Sequence, residues 1–336
     1  MKKVTLMRIT GIAVALLPIT LLATNSESAT PKTVNVVGYS IVSNAYTALE
    51  NAFSHTAAGR GVTFTNSFGP STTQAEDVVA GQPADVVNFS LNPDLALLIN
   101  AGLVSRKWAS VKAVKAQKGI VTDSVVAIVV QPGNPLGIQA WNDLTKSGVK
   151  IVTPDPISSG SARWNLLAAY ESQIDQGSTP AQANTYLNAL IKNVVSEPSS
   201  GSKALSAFIA GTGNVLLAYE SDALNAFVSG QKIQIVQPAQ NLLIQNPAAL
   251  TTTGTSNPSA VAFYDFIFSK AGQEIWTAQH FRPTLGSLGP VRKITFYAPV
   301  KLNTITGLGG WATITPKFFG PTGIITQAEN ANGYTS

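Results

Sequence analysis

The stretch from Val149 to Asn165 constrains this chain more than any other. Val149-Lys150-Ile151-Val152-Thr153 has strand character, Pro154 and Pro156 stop the ladder, and Ser158-Ser159-Gly160-Ser161 precede a run with helical apolar spacing (Trp164, Leu167, Ala168, Tyr170, Ile174). A strand that turns tightly into a helix leaves unpaired N–H groups and the positive end of the helix dipole at the junction, which suits an anion. The plainer reading of one such junction is a Ser N-cap with no ligand.

The same punctuation recurs. Strands are expected over residues 34–39, 62–66, 84–90, 125–131, 214–218 and 233–236, with helices between most of them, so the fold class is α/β. Ser40 follows the first strand, and Ser71 opens the helix after the second. Gly201 sits in the small-residue run before the helix carrying Leu205 and Phe208, and Tyr219 ends its own strand. Parallel strands of an open sheet direct their carboxyl ends to one side, so such junctions can meet in one crevice. A fully deprotonated tetrahedral dianion accepts only, and these junctions place no acid at the contact positions, which favours sulfate over phosphate.

Composition narrows the class of function. The chain has 336 residues, enough for two domains, with 45% hydrophobic residues and only 12% charged ones. Residues 1–28 read as an export signal, with Lys2, Lys3 and Arg8 ahead of an apolar core too short for a comfortable membrane span. Without those three cations the formal charge of +5 falls to about +2, or to +3 when Glu27 leaves with them, no basic patch remains, and nucleic acid is not expected as a partner. The absence of cysteine excludes disulfides and thiolate chemistry. Two histidines, His55 and His280, make a metal site improbable, and no cofactor motif occurs. Ser200-Gly201-Ser202-Lys203 matches the S-x-x-K motif of lysine-assisted serine acyltransferases, but its companion motifs are missing.

Thr153-Pro-Asp-Pro-Ile-Ser-Ser-Gly-Ser-Ala-Arg-Trp-Asn-Leu-Leu-Ala-Ala-Tyr170 closely resembles the signature of the periplasmic sulfate-binding proteins, the receptors of sulfate and thiosulfate ABC importers. Further blocks match in order: Tyr39 to Phe53, Ser67 to Val87, Trp141-Asn-Asp-Leu144, Asn214 to Leu224, Phe281-Arg-Pro283 and Gly309-Gly-Trp311. The resemblance implies a monomeric type II periplasmic binding protein with two hinged mixed-sheet lobes, no enzyme activity, and an ABC permease of the inner membrane as partner. Lobe 1 is expected at 32–118 plus 245–290 and lobe 2 at 122–240, with a tail at 291–336 packing on the lobes. The implied sulfate contacts fall on Ser40, Ser71, Ser159, Gly160, Ser161, Gly201 and Tyr219. Where Ser40, Ser161, Gly201 and Tyr219 stand, the family has aspartate, glycine, alanine and tryptophan. Molybdate or tungstate receptors share the Ser67-Phe68-Gly69 block but lack the Ser-Ser-Gly-x-Ala-Arg-Trp signature, so another tetrahedral oxyanion is the alternative ligand, and an extracellular serine hydrolase the alternative class.

Overall fold

The computed structural model describes Met1 and residues 32–111, 114–286 and 295–334, and residues 31–336 form one compact unit. The expected export signal lies, apart from Met1, outside the described residues. The strands are β1 (Lys32–Tyr39), β2 (Val62–Gly69), β3 (Val86–Asn88), β4 (Ile120–Ser124), β5 (Val126–Val130), β6 (Ile151–Val152), β7 (Val194–Ser196), β8 (Val215–Tyr219), β9 (Gln234–Val236), β10 (Gln240–Leu242), β11 (Ile244–Leu250) and β12 (Lys301–Asn303). They build two five-stranded sheets of the same plan, β2-β1-β3-β11-β4 and β7-β6-β8-β5-β9, with β10 and β12 paired apart from them. In each sheet three neighbouring strands are parallel, a fourth (β11 or β5) runs against them, and the edge strand beyond it (β4 or β9) pairs antiparallel with that fourth strand and so runs with the first three. These are the two mixed-sheet α/β lobes of the type II periplasmic binding fold.

The parallel order needs crossover helices, and the apolar spacing of the sequence supplies them. They are α1 (Ser43–Ser54), α2 (Ser71–Val79), α3 (Asn92–Asn100), α4 (Gly160–Asp175), α5 (Pro180–Lys192), α6 (Gly201–Ile209) and α7 (Glu220–Val228). After the short α8 (Thr252–Thr255), helices α9 (Pro258–Phe268) and α10 (Lys270–Ala278) return to lobe 1. The break between them falls at Ser269, whose Oγ caps α10 by accepting from the Gly272 amide. Gly272 is required there, because a Cβ would stand 2.2 Å from the Phe266 carbonyl oxygen. Short α11 (Trp311–Ile314) and α12 (Ile324–Ala331) complete the described tail. Trp311 meets Trp164 edge-on at 5.0 Å and Phe318 meets Tyr170 at 4.9 Å, so this segment is sealed onto α4.

The core lies on both faces of each sheet. β5 is buried along its whole length, as a central strand covered on both sides must be, and its run Val126-Ala-Ile-Val-Val130 is apolar without alternation. The first crossing between lobes differs from expectation. Lobe 2 is expected from residue 122, yet β4 continues lobe 1 to Ser124 by pairing with β11, and the chain changes sheet at Val125. The residues from 120 to 130 form one β-branched run, and only its pairing partners reveal that it serves two sheets. Asn241 clips the two crossings together: its side-chain amide donates to the Val126 carbonyl at 2.8 Å and its Oδ1 accepts from the Val126 N–H at 3.0 Å.

Candidate functional site

The parallel strands explain where the site falls. β1, β2 and β3 end at Tyr39, Gly69 and Asn88, and β6, β7 and β8 end at Val152, Ser196 and Tyr219, so each lobe presents three strand-to-helix junctions along one edge. The two edges face each other. Tyr219 Oη and Ser90 Oγ are 2.7 Å apart, the Trp164 indole N–H donates to the Ser90 carbonyl at 3.0 Å, and the Thr72 N–H donates to the Ser158 carbonyl at 3.1 Å.

All seven residues singled out from the sequence belong to one connected cluster. Ser159 Oγ lies 2.9 Å from Ser161 Oγ, and a Cβ on Gly201 would stand 3.0 Å from that same Ser161 Oγ. Ser40 Oγ accepts from the Ser202 N–H at 3.4 Å, beside Gly201. Gly160 lies against Ser90, where a Cβ would come within 2.7 Å of both Cβ and Oγ. The Ser90 N–H in turn donates to Ser71 Oγ at 2.8 Å, which closes the ring of contacts with Tyr219.

The decisive feature is which amides stay unpaired. No side chain caps α2 or α4, although both begin with serine at or beside the N-cap. Ser159 N–H donates to the Asp155 carbonyl, but the amides of Ser71, Gly160, Ser161, Ala162 and Gly201 find no protein acceptor among the described residues, and all five residues are buried. A buried donor without a partner costs about 1–3 kcal/mol, so five together call for an acceptor with several lone pairs. The α6 start behaves differently in part, since Ser200 Oγ caps it by accepting from the Lys203 N–H. That places Ser200 in a structural role, with its hydroxyl oxygen occupied.

The Ser71 hydroxyl donates to Asp94 Oδ2 at 2.6 Å while accepting from the Ser90 N–H, so its hydrogen is already used and, of the two donors of Ser71, only the amide is left without a partner among the described residues. An acid therefore lies nearer than sequence reasoning allowed. Asp94, 1% exposed, also accepts from Thr72 Oγ1 at 2.9 Å, and burial pushes its carboxyl above the usual range. Arg163, the cation nearest in sequence, turns instead to the carbonyls of Pro156 and Ile157 and to the ring of Phe319. Burial also pushes the Tyr219 hydroxyl well up, so it is a neutral donor or acceptor at physiological pH.

Sequence reasoning missed Ser90, Asp94 and Asn246. Ser90 is the hub: its carbonyl also accepts from Asn246 Nδ2 at 3.1 Å, and Asn246 Oδ1 accepts from Tyr39 Oη at 3.0 Å. The expected strand over residues 84–90 already placed Ser90 at a carboxyl end, and that was the available signal. Asp94 and Asn246 carry none, because they meet the cluster from a different helix and from across the sheet.

Two hinged α/β lobes closing on a ring of buried donors define a solute-binding protein. The chain belongs to the sulfate-binding protein family: residues 34–282 match the family model of the bacterial extracellular solute-binding proteins, and the curated relatives agree. It is 34% identical over 322 residues to a sulfate-binding protein of Synechococcus elongatus, covering 92% of this chain and 90% of that one. The Escherichia coli sulfate-binding protein is 32% identical over 320 residues, covering 91% and 96%. Among solved structures, the sulfate-binding protein SubI from Mycobacterium tuberculosis superposes with a TM-score of 0.81 at 38% identity, covering 86% of this chain and 99% of that chain.

Proposed function

We propose that this protein is an exported, periplasmic receptor that captures sulfate, and thiosulfate with it, between its lobes and presents it to an inner-membrane ABC permease. Ser40, Ser71, Ser159, Gly160, Ser161, Gly201 and Tyr219 are the proposed contacts, working as a monomer without covalent chemistry. The lobes are proposed as 32–118 with 245–290 and as 122–240, shifted at the first crossing to Val125.

The observation that carries this reading is the set of five buried amides at three helix starts that, among the described residues, have no protein partner and no cation directed at them. Such a site is worth most to a ligand that only accepts hydrogen bonds, because each N–H–oxygen bond to an anion is charge-assisted and works in a desolvated space. Sulfate has four such oxygens and no proton, whereas phosphate near neutral pH keeps a hydrogen that needs an acceptor.

Titrating the purified protein with sulfate, thiosulfate, phosphate and molybdate tests the proposal. Trp164 reports closure, since its indole bonds across the lobes. Saturable quenching or enhancement by sulfate at micromolar concentration, with phosphate at least a hundredfold weaker, is expected. Preference for molybdate would reassign the ligand, and silence toward all four would end the reading.

A further inference from the structure

The hydroxyls of Ser159 and Ser161 do not behave as hydroxyls at a helix start usually do. A serine at the N-cap, here Ser159, ordinarily accepts from the amide two or three residues on. Ser159 Oγ instead lies 2.9 Å from Ser161 Oγ, so Ser161 draws it away from the Ser161 and Ala162 amides, which stay open. Both serines are buried, and of two hydroxyls that bond to each other only one spends its hydrogen. The second hydrogen has no acceptor among the described residues, and the anion that the neighbouring amides receive is its natural partner.

Granted the oxyanion reading, on which this rests, we propose that Ser161 sets the size of anion the closed cleft accepts and makes it prefer sulfate to the larger thiosulfate and molybdate. The walls beside Ser161 leave no slack. A Cβ on Gly201 would stand 3.0 Å from Ser161 Oγ and 2.7 Å from Ile41 Cδ1 of the other lobe, and one on Gly160 would stand 2.7 Å from Ser90 Oγ and 2.8 Å from Leu91 Cγ. Neither glycine has room for a methyl while the lobes meet, so a larger anion cannot gain its space there. The Ser161 side chain, which reaches from α4 to the start of α6, is then the group that limits the cage.

Thiosulfate replaces one oxygen by a larger sulfur on a longer bond, and sulfur accepts hydrogen bonds weakly; molybdate is larger in every direction. Either anion must displace the Ser161 hydroxyl or hold the lobes apart, and holding them apart stretches the Ser90–Tyr219 and Thr72–Ser158 bonds. One small group too many in a closed pocket is worth about 10- to 200-fold in selectivity.

Titration calorimetry of the purified protein with sulfate, thiosulfate and molybdate, in the parent and in Ser161→Gly, Ser161→Ala and Ser161→Thr, tests the role, with ligand-free melting establishing that each variant folds. The parent is expected to bind sulfate at least about tenfold more tightly than either larger anion. In Ser161→Gly that preference should shrink by at least about tenfold, although sulfate itself binds more weakly because Ser159 is released to cap its own helix. Ser161→Ala should lie between the two. Ser161→Thr, which keeps the hydroxyl and adds a methyl, should weaken thiosulfate and molybdate more than sulfate. An equal loss for all three anions in Ser161→Gly would make the hydroxyl a donor or spacer only and would overturn the size role, as would an unchanged preference or a parent that does not prefer sulfate. These outcomes leave oxyanion binding by the parent intact, whereas a parent that binds none of the three ends the oxyanion reading itself.

Discussion

Ser90 Oγ and Tyr219 Oη lie 2.7 Å apart, and this bond joins the end of the third strand of one sheet to the end of the corresponding strand of the other. Both residues are fully buried, so neither hydroxyl can exchange its partner for water while the lobes are together. Tyr219→Phe therefore removes a bond that exists only in the closed form. A loss of about 1–2 kcal/mol, or about 5- to 30-fold in sulfate affinity, is expected by calorimetry, with little change in the melting temperature of the ligand-free protein. Unchanged affinity would show that closure does not depend on this contact.

Gly160→Ala probes closure sterically. The added Cβ would stand 2.7 Å from Ser90 Cβ and Oγ and 2.8 Å from Leu91 Cγ, distances that no packed methyl tolerates. Because these contacts cross between lobes, the variant is expected to fold normally and to bind sulfate at least about 100-fold more weakly. Small-angle scattering with and without sulfate should show that the variant fails to contract.

Ser71→Ala separates hydroxyl from amide. The hydroxyl satisfies Asp94 and the Ser90 N–H, so its removal orphans two buried groups and should cost about 1–3 kcal/mol of folding stability in urea titration. The Ser71 amide remains, and sulfate affinity should fall by less than Ser159→Ala causes. The reverse order would mean that the Ser71 hydroxyl touches the ligand directly.

Arg282 and Glu220 form a bidentate pair, Nε to Oε2 at 2.7 Å and Nη2 to Oε1 at 3.0 Å, between the sheet-edge bridge at Asp123 in lobe 1 and the start of α7 in lobe 2. The Glu220 side chain is 1% exposed. Arg282→Ala leaves that carboxylate buried and unpaired, and a loss of about 3–5 kcal/mol in chemical denaturation is expected. Glu220→Gln combined with Arg282→Met should recover a large part of it.

Stability should fall as the pH rises from mildly acid to alkaline. Burial pushes Asp123 and Asp222 up to about 7, and Glu197 and Glu329 rise as well. A carboxyl whose folded pKa exceeds its unfolded value binds more protons in the native state. Its contribution is complete below the unfolded pKa near 4 and is lost as the pH climbs through the folded value. The melting temperature is expected to drop by about 5 °C or more between pH 5 and pH 9. In Asp222→Asn the slope around pH 7 should flatten; a melting temperature that rises over this range would contradict the assigned burial.

Much of this was legible in the sequence. Strand character at 149–153, two prolines and a small-residue run before Trp164 specify a sharp strand-to-helix junction, because these are local effects of backbone geometry, proline and side-chain volume. The repetition of that pattern specified an α/β chain, and the signature through Tyr170 specified the family. Local patterns could not say that Ser71 spends its hydroxyl on Asp94, that the chain changes sheet at Val125, or that Ser90 is the hub of the cluster. Those depend on pairings between residues far apart in sequence, such as Ser124 with Ile244 and Ser90 with Tyr219, which exist only once the sheets are ordered and the lobes meet. The sequence alone determined which amides emerge at helix starts; tertiary packing decided which of them lose water and find no other partner, and that loss is what fits a row of ordinary junctions for the anion site proposed here.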